Sequence, residues 1–241
     1  MEIININNTN YFLLKCNEGY LLIDAGWVGK YKDFKEALNK LNINVASIKY
    51  ILITHHHHDH AALVHDLREE IKCKIIIHKD GINYVKNGIT YTKDIKQFNI
   101  LLKLLDKILS PFIQCNYSPI SLNEDDIIVT EDNFDIYNLT GIKGKIIYTP
   151  GHSKDSISLV LRNGYAFIGD VAMNMLKIFG QKYRPIEAEN YSEVYKSWEK
   201  LIRYGTKKIF PSHGKSFSIE KLEILLKQYN FSSTQPRYPP P

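Results

Sequence analysis

The stretch Ile53-Thr54-His55-His56-His57-His58-Asp59-His60-Ala61-Ala62 holds five of the chain's nine histidines. Expression tags sit at termini, whereas this run lies well inside a 241-residue chain. It follows IKYILIT (48–54), whose β-branched apolar residues read as a buried strand. It precedes AALVHDLREEIK (61–72), which reads as a helix. The histidines therefore occupy the turn from a strand's C-terminal end into a helix, where α/β folds place their sites.

Working outward, NYFLLKC and YLLIDAG flank the hairpin signal NEG, and KYKDFKEALNKLNI carries apolar residues at helical spacing. KIIIH (74–78) reads as a further strand. Residues 80–118 read as an inserted pair of helices, the second with Ile95, Phe98, Leu101, Leu102, Leu105, Ile108 and Leu109 on one face and ended by Pro111. Strands return with DIIVT, FDIYNL, GKIIYT, SISLVLR and YAFIGD, the last two joined by an Asn163-Gly164 turn. SEVYKSWEKLIRYG and SIEKLEILLKQYN read as helices around the strand KKIFP. The expectation is one domain over 1–231, with a Pro-rich, disordered tail over 232–241.

Composition narrows the class. Hydrophobic residues at 44% and charged residues at 24% suit a globular protein. The net charge of +5 is spread along the chain, so no nucleic-acid partner is expected. Cys16, Cys73 and Cys115 form no CxxC pair, and no signal peptide is visible, so a reducing, cytoplasmic setting is expected. Lys96, Lys103, Asp106 and Lys107 interrupt the most apolar long stretch, which argues against stable membrane insertion.

Within the histidine run, side chains alternate on an extended turn, so His55 and His57 can grip one ion. Asp59 and His60, at the helix start, can reach a second. Imidazole and carboxylate suit zinc first, with iron or manganese as alternatives. His56 and His58 face elsewhere and are given no ligand role. Three further ligand-type residues stand alone at strand ends: His152 in TPGHS, Asp170 in FIGD and His213 in PSHG. Each alone is an ordinary loop residue; together with the run they form a ligand set. His78 and His65 read as structural.

His55-x-His57-x-Asp59-His60, followed by His152, Asp170 and His213, resembles the metallo-β-lactamase superfamily of hydrolases, with the likeness running from Asp24 in LLIDAG to PSHG. The resemblance implies a four-layer αβ/βα sandwich with a dinuclear metal site at one edge. It implies His55, His57 and His152 on the first ion, Asp59, His60 and His213 on the second, and Asp170 bridging. Asp24 would support the histidine loop from behind, and Asp59 would shuttle protons for a hydroxide held between the ions. The cofactors implied are two divalent ions.

Branch features narrow the substrate only partly. Asp170 bridges and no leader is visible, unlike the secreted lactamases, many of which place Cys on the second ion. His57 stands where the flavo-diiron branch has Glu. Met173 stands where the acyl-homoserine lactonases have Tyr, and SHGKS replaces the GHEY-like stretch of glyoxalase II-type thioesterases. The leading expectation is hydrolysis of a carboxylic ester, thioester or lactone on a small-molecule substrate; the alternatives are a phosphodiesterase and a non-catalytic metal-binding module. In 173–191, Met173, Met175, Phe179 and Tyr183 are expected to line the pocket, and Lys177, Lys182 and Arg184 to greet an anionic group. The 80–118 segment is expected to cover the site or to form a homodimer face, either being favoured over membrane contact.

Overall fold

The computed structural model describes residues 1–234. Its strands are β1 (Glu2–Ile6), β2 (Thr9–Cys16), β3 (Gly19–Ile23), β4 (Ile48–Leu52), β5 (Lys74–His78), β6 (Lys96–Gln97), β7 (Ile127–Val129), β8 (Phe134–Asp135), β9 (Gly144–Tyr148), β10 (Ile157–Leu161), β11 (Tyr165–Phe167), β12 (Glu187–Ala188), β13 (Lys208–Phe210) and β14 (Phe217–Ser218). Its α-helices are α1 (Tyr31–Lys40), α2 (His58–Ala61), α3 (Val64–Glu70), α4 (Ile82–Asn87), α5 (Ile100–Leu109), α6 (Tyr137–Thr140), α7 (Tyr191–Arg203) and α8 (Glu220–Thr234).

Two six-stranded sheets run in the orders β1-β2-β3-β4-β5-β7 and β14-β13-β11-β10-β9-β8. The strands are apolar on both faces, and their two-residue period divides the core. Phe12, Leu14, Leu21, Ile23 and Ile76 point inward and meet Ile146, Leu159, Phe167 and Phe210 of the other sheet. Their neighbours Leu13, Leu22, Ile75 and Ile77 point outward, under Phe34 and Leu38 of α1 and Val64 and Leu67 of α3. On the far side, Ile147, Val160 and Ile209 lie under Trp198 and Leu201 of α7 and Leu222 and Leu225 of α8. The result is the four-layer αβ/βα sandwich.

Some boundaries depart from the sequence reading. The helix expected at 61–72 is two helices, and α2 begins earlier, at His58. FDIYNL is a strand only at Phe134–Asp135, because the Asp135 carboxylate accepts the Tyr137 N–H at 2.8 Å and opens α6. The helix α8 runs through Thr234, into the segment expected as a tail; positions 235–241 lie outside the described residues. The 80–118 segment does hold two helices, α4 and α5, and β6 pairs antiparallel with β12, tying the insert to the 173–191 loop. Of the apolar face assigned to α5, only Leu102 is buried; Leu101, Ile108 and Leu109 are exposed. Among the described residues no helix is long and apolar enough to cross a membrane.

Candidate metal centre and its cleft

The histidine loop leaves β4 at the sheet's C-terminal edge, and Asp24, at the end of the neighbouring β3, holds it. Asp24 is fully buried and left-handed (φ 61°), with its N–H bonded to the Leu52 carbonyl at 2.9 Å. Its carboxylate accepts four hydrogen bonds: Thr54 N–H at 2.8 Å, Thr54 Oγ1 at 2.9 Å, His60 Nδ1 at 2.9 Å and Ser212 Oγ at 2.9 Å. One side chain thus joins the ends of β3 and β4, the start of α2 and the loop after β13. His57 caps α2 in an extended conformation, and the helix turn that follows aims Asp59 and His60 at the same space.

These outer bonds also fix which ring nitrogens carry protons. Thr54 gives its hydroxyl proton to Asp24, so its oxygen accepts from His55 Nδ1 at 3.1 Å, leaving a lone pair on His55 Nε2. His60 Nδ1 donates to Asp24, His152 Nδ1 to the Glu187 carbonyl at 2.9 Å and His213 Nδ1 to the Asn8 carbonyl at 3.1 Å. All four imidazoles therefore turn Nε2 inward, the nitrogen that can bind a metal once it holds no proton. His57 Nδ1 faces His152 Nε2 at 3.1 Å.

The inward atoms fall into two groups, His55-His57-His152 and Asp59-His60-Asp170-His213, each with its ligand atoms within 4.8 Å of one another. Asp170 Oδ2 lies 3.4 Å from His60 Nε2, 3.2 Å from His213 Nε2 and 3.7 Å from His152 Nε2, so it stands between the groups. Buried polar atoms are normally satisfied. Here His55 Nε2, His57 Nε2 and Asp170 Oδ1 are buried without a hydrogen-bond partner. An array of convergent lone pairs and carboxylates with unsatisfied atoms fits cations.

The electrostatics separate the two groups. Burial and mutual proximity hold the His55 and His57 imidazoles well below their usual range; burial also lowers His152, against the pull of Asp170. In the other group burial is overcome: the Asp170 and Asp59 carboxylates hold the His213 imidazole up at about 10, and His60 is likewise raised by Asp59, Asp170 and Asp24. Burial would raise the two carboxyls, yet His60 and His213 keep both well below the usual carboxylate range.

Comparison with known proteins decides the family. Residues 4–213 match the sequence profile of the metallo-beta-lactamase superfamily. The chain belongs to that superfamily. It is 32% identical over 154 residues to a metallo-beta-lactamase fold-containing protein of Sulfurisphaera tokodaii, covering 63% of this chain and 52% of that one. It is 25% identical over 234 residues to a beta-lactamase-like protein 2 homolog of Drosophila melanogaster, covering 94% and 66%. A solved metallo-beta-lactamase family protein of Thermus thermophilus superposes with a TM-score of 0.66 at 16% identity, covering 95% of this chain and 78% of that one. The chain thus spans about half of the first relative's length and just under two thirds of the second's.

The four histidines outside this superfamily set have other work. His56 Nδ1 donates to Asp155 Oδ1 at 2.8 Å, and its Nε2 accepts the Tyr91 N–H at 3.1 Å. Its ring stacks on Tyr84 at 4.1 Å, and its carbonyl accepts the Tyr117 hydroxyl at 2.7 Å. Three tyrosines of the 80–118 insert thereby anchor on the metal loop. His58 packs edge-on against Trp27 and bonds Thr90 through its N–H at 2.9 Å. His78 stacks on Tyr148, and His65 Nδ1 donates to the Pro119 carbonyl at 2.9 Å.

Above the metal groups opens a cleft of about 560 Å³. Helix α5 roofs it with Leu102, Leu105 and Leu109; Trp27, Met173, Met175, Leu176 and Ile186 form other walls. Met173 and Met175 line it as expected, but Phe179 and Tyr183 do not: Tyr183 packs on Phe217, with ring centroids 4.5 Å apart. Nor do Lys177, Lys182 and Arg184 reach it. Lys177 lies over the Tyr183 ring, Lys182 is exposed, and Arg184 bonds the Tyr195 hydroxyl at 2.8 Å while facing the Phe98 ring. Glu187 was missed by the sequence reading. Burial, with Asp106 nearby, pushes its carboxyl up to about 7, and its carbonyl orients His152.

Proposed function

We propose that this chain is a dinuclear metal-dependent hydrolase of an uncharged carboxylic acyl bond: an ester, thioester or lactone. One observation carries the choice of bond. Among the described residues that line the cleft there is no lysine or arginine. A phosphodiester's charge would have only the metal ions to pair with, since the cleft adds none of the cationic side chains that ordinarily assist phosphate binding. An acyl group asks for none.

In this reading His55, His57 and His152 would hold one divalent ion and Asp59, His60 and His213 the other, with the Asp170 carboxylate placed between the two groups. The nitrogen-rich donor set favours zinc, with iron the nearest alternative. Bound there, the ions would supply an activated water and polarise the acyl oxygen. Asp24, Thr54, Glu187 and Asn8 keep the ligand imidazoles in the correct tautomer. The Asp59 carboxylate reaches the cleft, accepts from Thr9 Oγ1 at 3.5 Å and is the group placed to carry a proton between water and leaving group.

A panel of chromogenic carboxylic esters, thioesters and lactones beside bis(p-nitrophenyl) phosphate tests this with metal-loaded protein. Cleavage of the acyl substrates with little of the phosphate is expected. Preference for the phosphate diester overturns the choice of bond. Full metal occupancy with no turnover of any substrate favours a non-catalytic metal-binding module.

A further inference from the structure

We infer that the substrate carries an unbranched aliphatic acyl chain, which lies under α5 between Leu105 and the wall formed by Met173 and Met175. This deepens the ester-type reading and rests on it. The cleft has the volume of a small-molecule site, and away from the metal groups its lining combines an apolar part, led by the leucines of α5 and by Met173 and Met175, with a polar part that includes Gln97, Asp106 and Glu187. Leucines at 102, 105 and 109 recur on one face of α5, so a single apolar strip runs along the roof. Met173 and Met175 line the same cleft, and the flexible, unbranched methionine side chain conforms to a chain of variable shape. Unbranched hydrocarbon fits such a slot, while the polar end of the substrate stays at the seven-residue cluster.

The insert is built to hold that roof in place. It is fastened at His56 by Tyr84, Tyr91 and Tyr117, and at β12 by the β6 pairing. Asn99 caps α5 by accepting the Leu102 N–H at 3.0 Å and also bonds the Phe179 carbonyl. The outer face of α5 is apolar too, with Ile100 and Ile108 each 65% exposed. A hydrocarbon probe therefore has two places to go, and the test must separate them.

The test is calorimetric binding of straight-chain carboxylates, acetate through decanoate, to the metal-loaded full chain. These are the product's chemistry and need no turnover. Affinity is expected to rise by about fourfold per added methylene until the cleft is full, the worth of burying one CH2. Leu105→Gln is expected to flatten that dependence, with Met175→Gln as the second reading if the first variant does not fold. Ile108→Gln, on the outer face, is expected to leave it unchanged. Affinity that ignores chain length, or a dependence lost in Ile108→Gln but not in Leu105→Gln, overturns the inference. Chain-length dependence without ester cleavage sustains the slot and overturns the ester reading; acetate-ester cleavage with no chain-length dependence does the reverse.

Discussion

The Asp24 carboxylate accepts a hydrogen bond from His60 Nδ1 at 2.9 Å, with both side chains fully buried. The same carboxylate takes bonds from Thr54 and Ser212. Asp24→Asn keeps the shape but removes the charge and replaces one of two acceptor oxygens by an amide donor, which must oppose either the Thr54 N–H or the cluster of Thr54 Oγ1, Ser212 Oγ and His60 Nδ1. Either way the histidine loop loses an anchor or the His60 imidazole loses its acceptor. Metal affinity is expected to fall by about 10- to 100-fold. Competition with a chromophoric chelator measures it, and unchanged affinity would remove Asp24 from the support of this loop.

Neighbouring histidines of the run should behave oppositely. His55 turns its bare Nε2 into the cluster, whereas His56 spends both ring nitrogens on Asp155 and the Tyr91 N–H. His55→Ala is expected to retain about one metal per chain, and His56→Asn about two. The asparagine can still donate to Asp155, but it loses the stacking on Tyr84 and the Tyr91 bond, at a cost of about 1–3 kcal/mol. Elemental analysis and urea unfolding read the two effects separately. Equal metal content in both variants would contradict the division of roles.

The contrast between these residues also shows what a sequence reveals. The run His55–His60 was legible because its residue types and spacing are local, and the lone His152, Asp170 and His213 because each follows a strand whose apolar pattern marks its end. The sheets were legible for the same reason: Leu13 and Leu14, or Ile75 and Ile76, face different layers, yet both layers are core. Thr54, Asp155 and Glu187 were not legible. Asp155 meets His56 across 99 residues and Glu187 meets His152 across 35, so only the folded chain pairs them. The lysines at 177 and 182 were misplaced because their direction is set by the loop's packing on Tyr183 and Phe217, which no local pattern encodes.

Metal uptake should release protons unequally. At pH 7 the His213 imidazole, held at about 10, and the raised His60 are both charged in the metal-free chain, while burial keeps His55, His57 and His152 neutral. The Asp59-His60-His213 group must therefore shed about two protons to bind its ion, and the three-histidine group almost none. Because His213 titrates through about 10, binding to the former group should strengthen as pH rises from 7 toward 10. Calorimetric metal titrations in buffers of different ionisation enthalpy count the protons. Equal release from the two groups would show that the carboxylates do not hold these imidazoles charged.

Gly26 passes so close to the Asp59–His60 turn that a methyl group on it would lie 1.9 Å from the Asp59 carbonyl carbon and 2.4 Å from the His60 nitrogen. Those atoms cannot retreat, because Ala25 bonds the His60 carbonyl at 2.7 Å and Leu63 bonds the Ala25 carbonyl at 2.8 Å. Gly26→Ala is expected to cost about 3 kcal/mol and to displace Asp59 and His60, lowering metal occupancy with stability. Gly180 offers the comparison: it is left-handed (φ 80°) with nothing within 4 Å, so Gly180→Ala carries only a backbone penalty of about 1–2 kcal/mol and should keep its metal. Urea midpoints and metal content on the two variants separate crowding at the site from strain in a loop. A Gly26→Ala protein as stable and as fully loaded as the parent would mean that the Asp59–His60 turn does not need the close approach of Gly26.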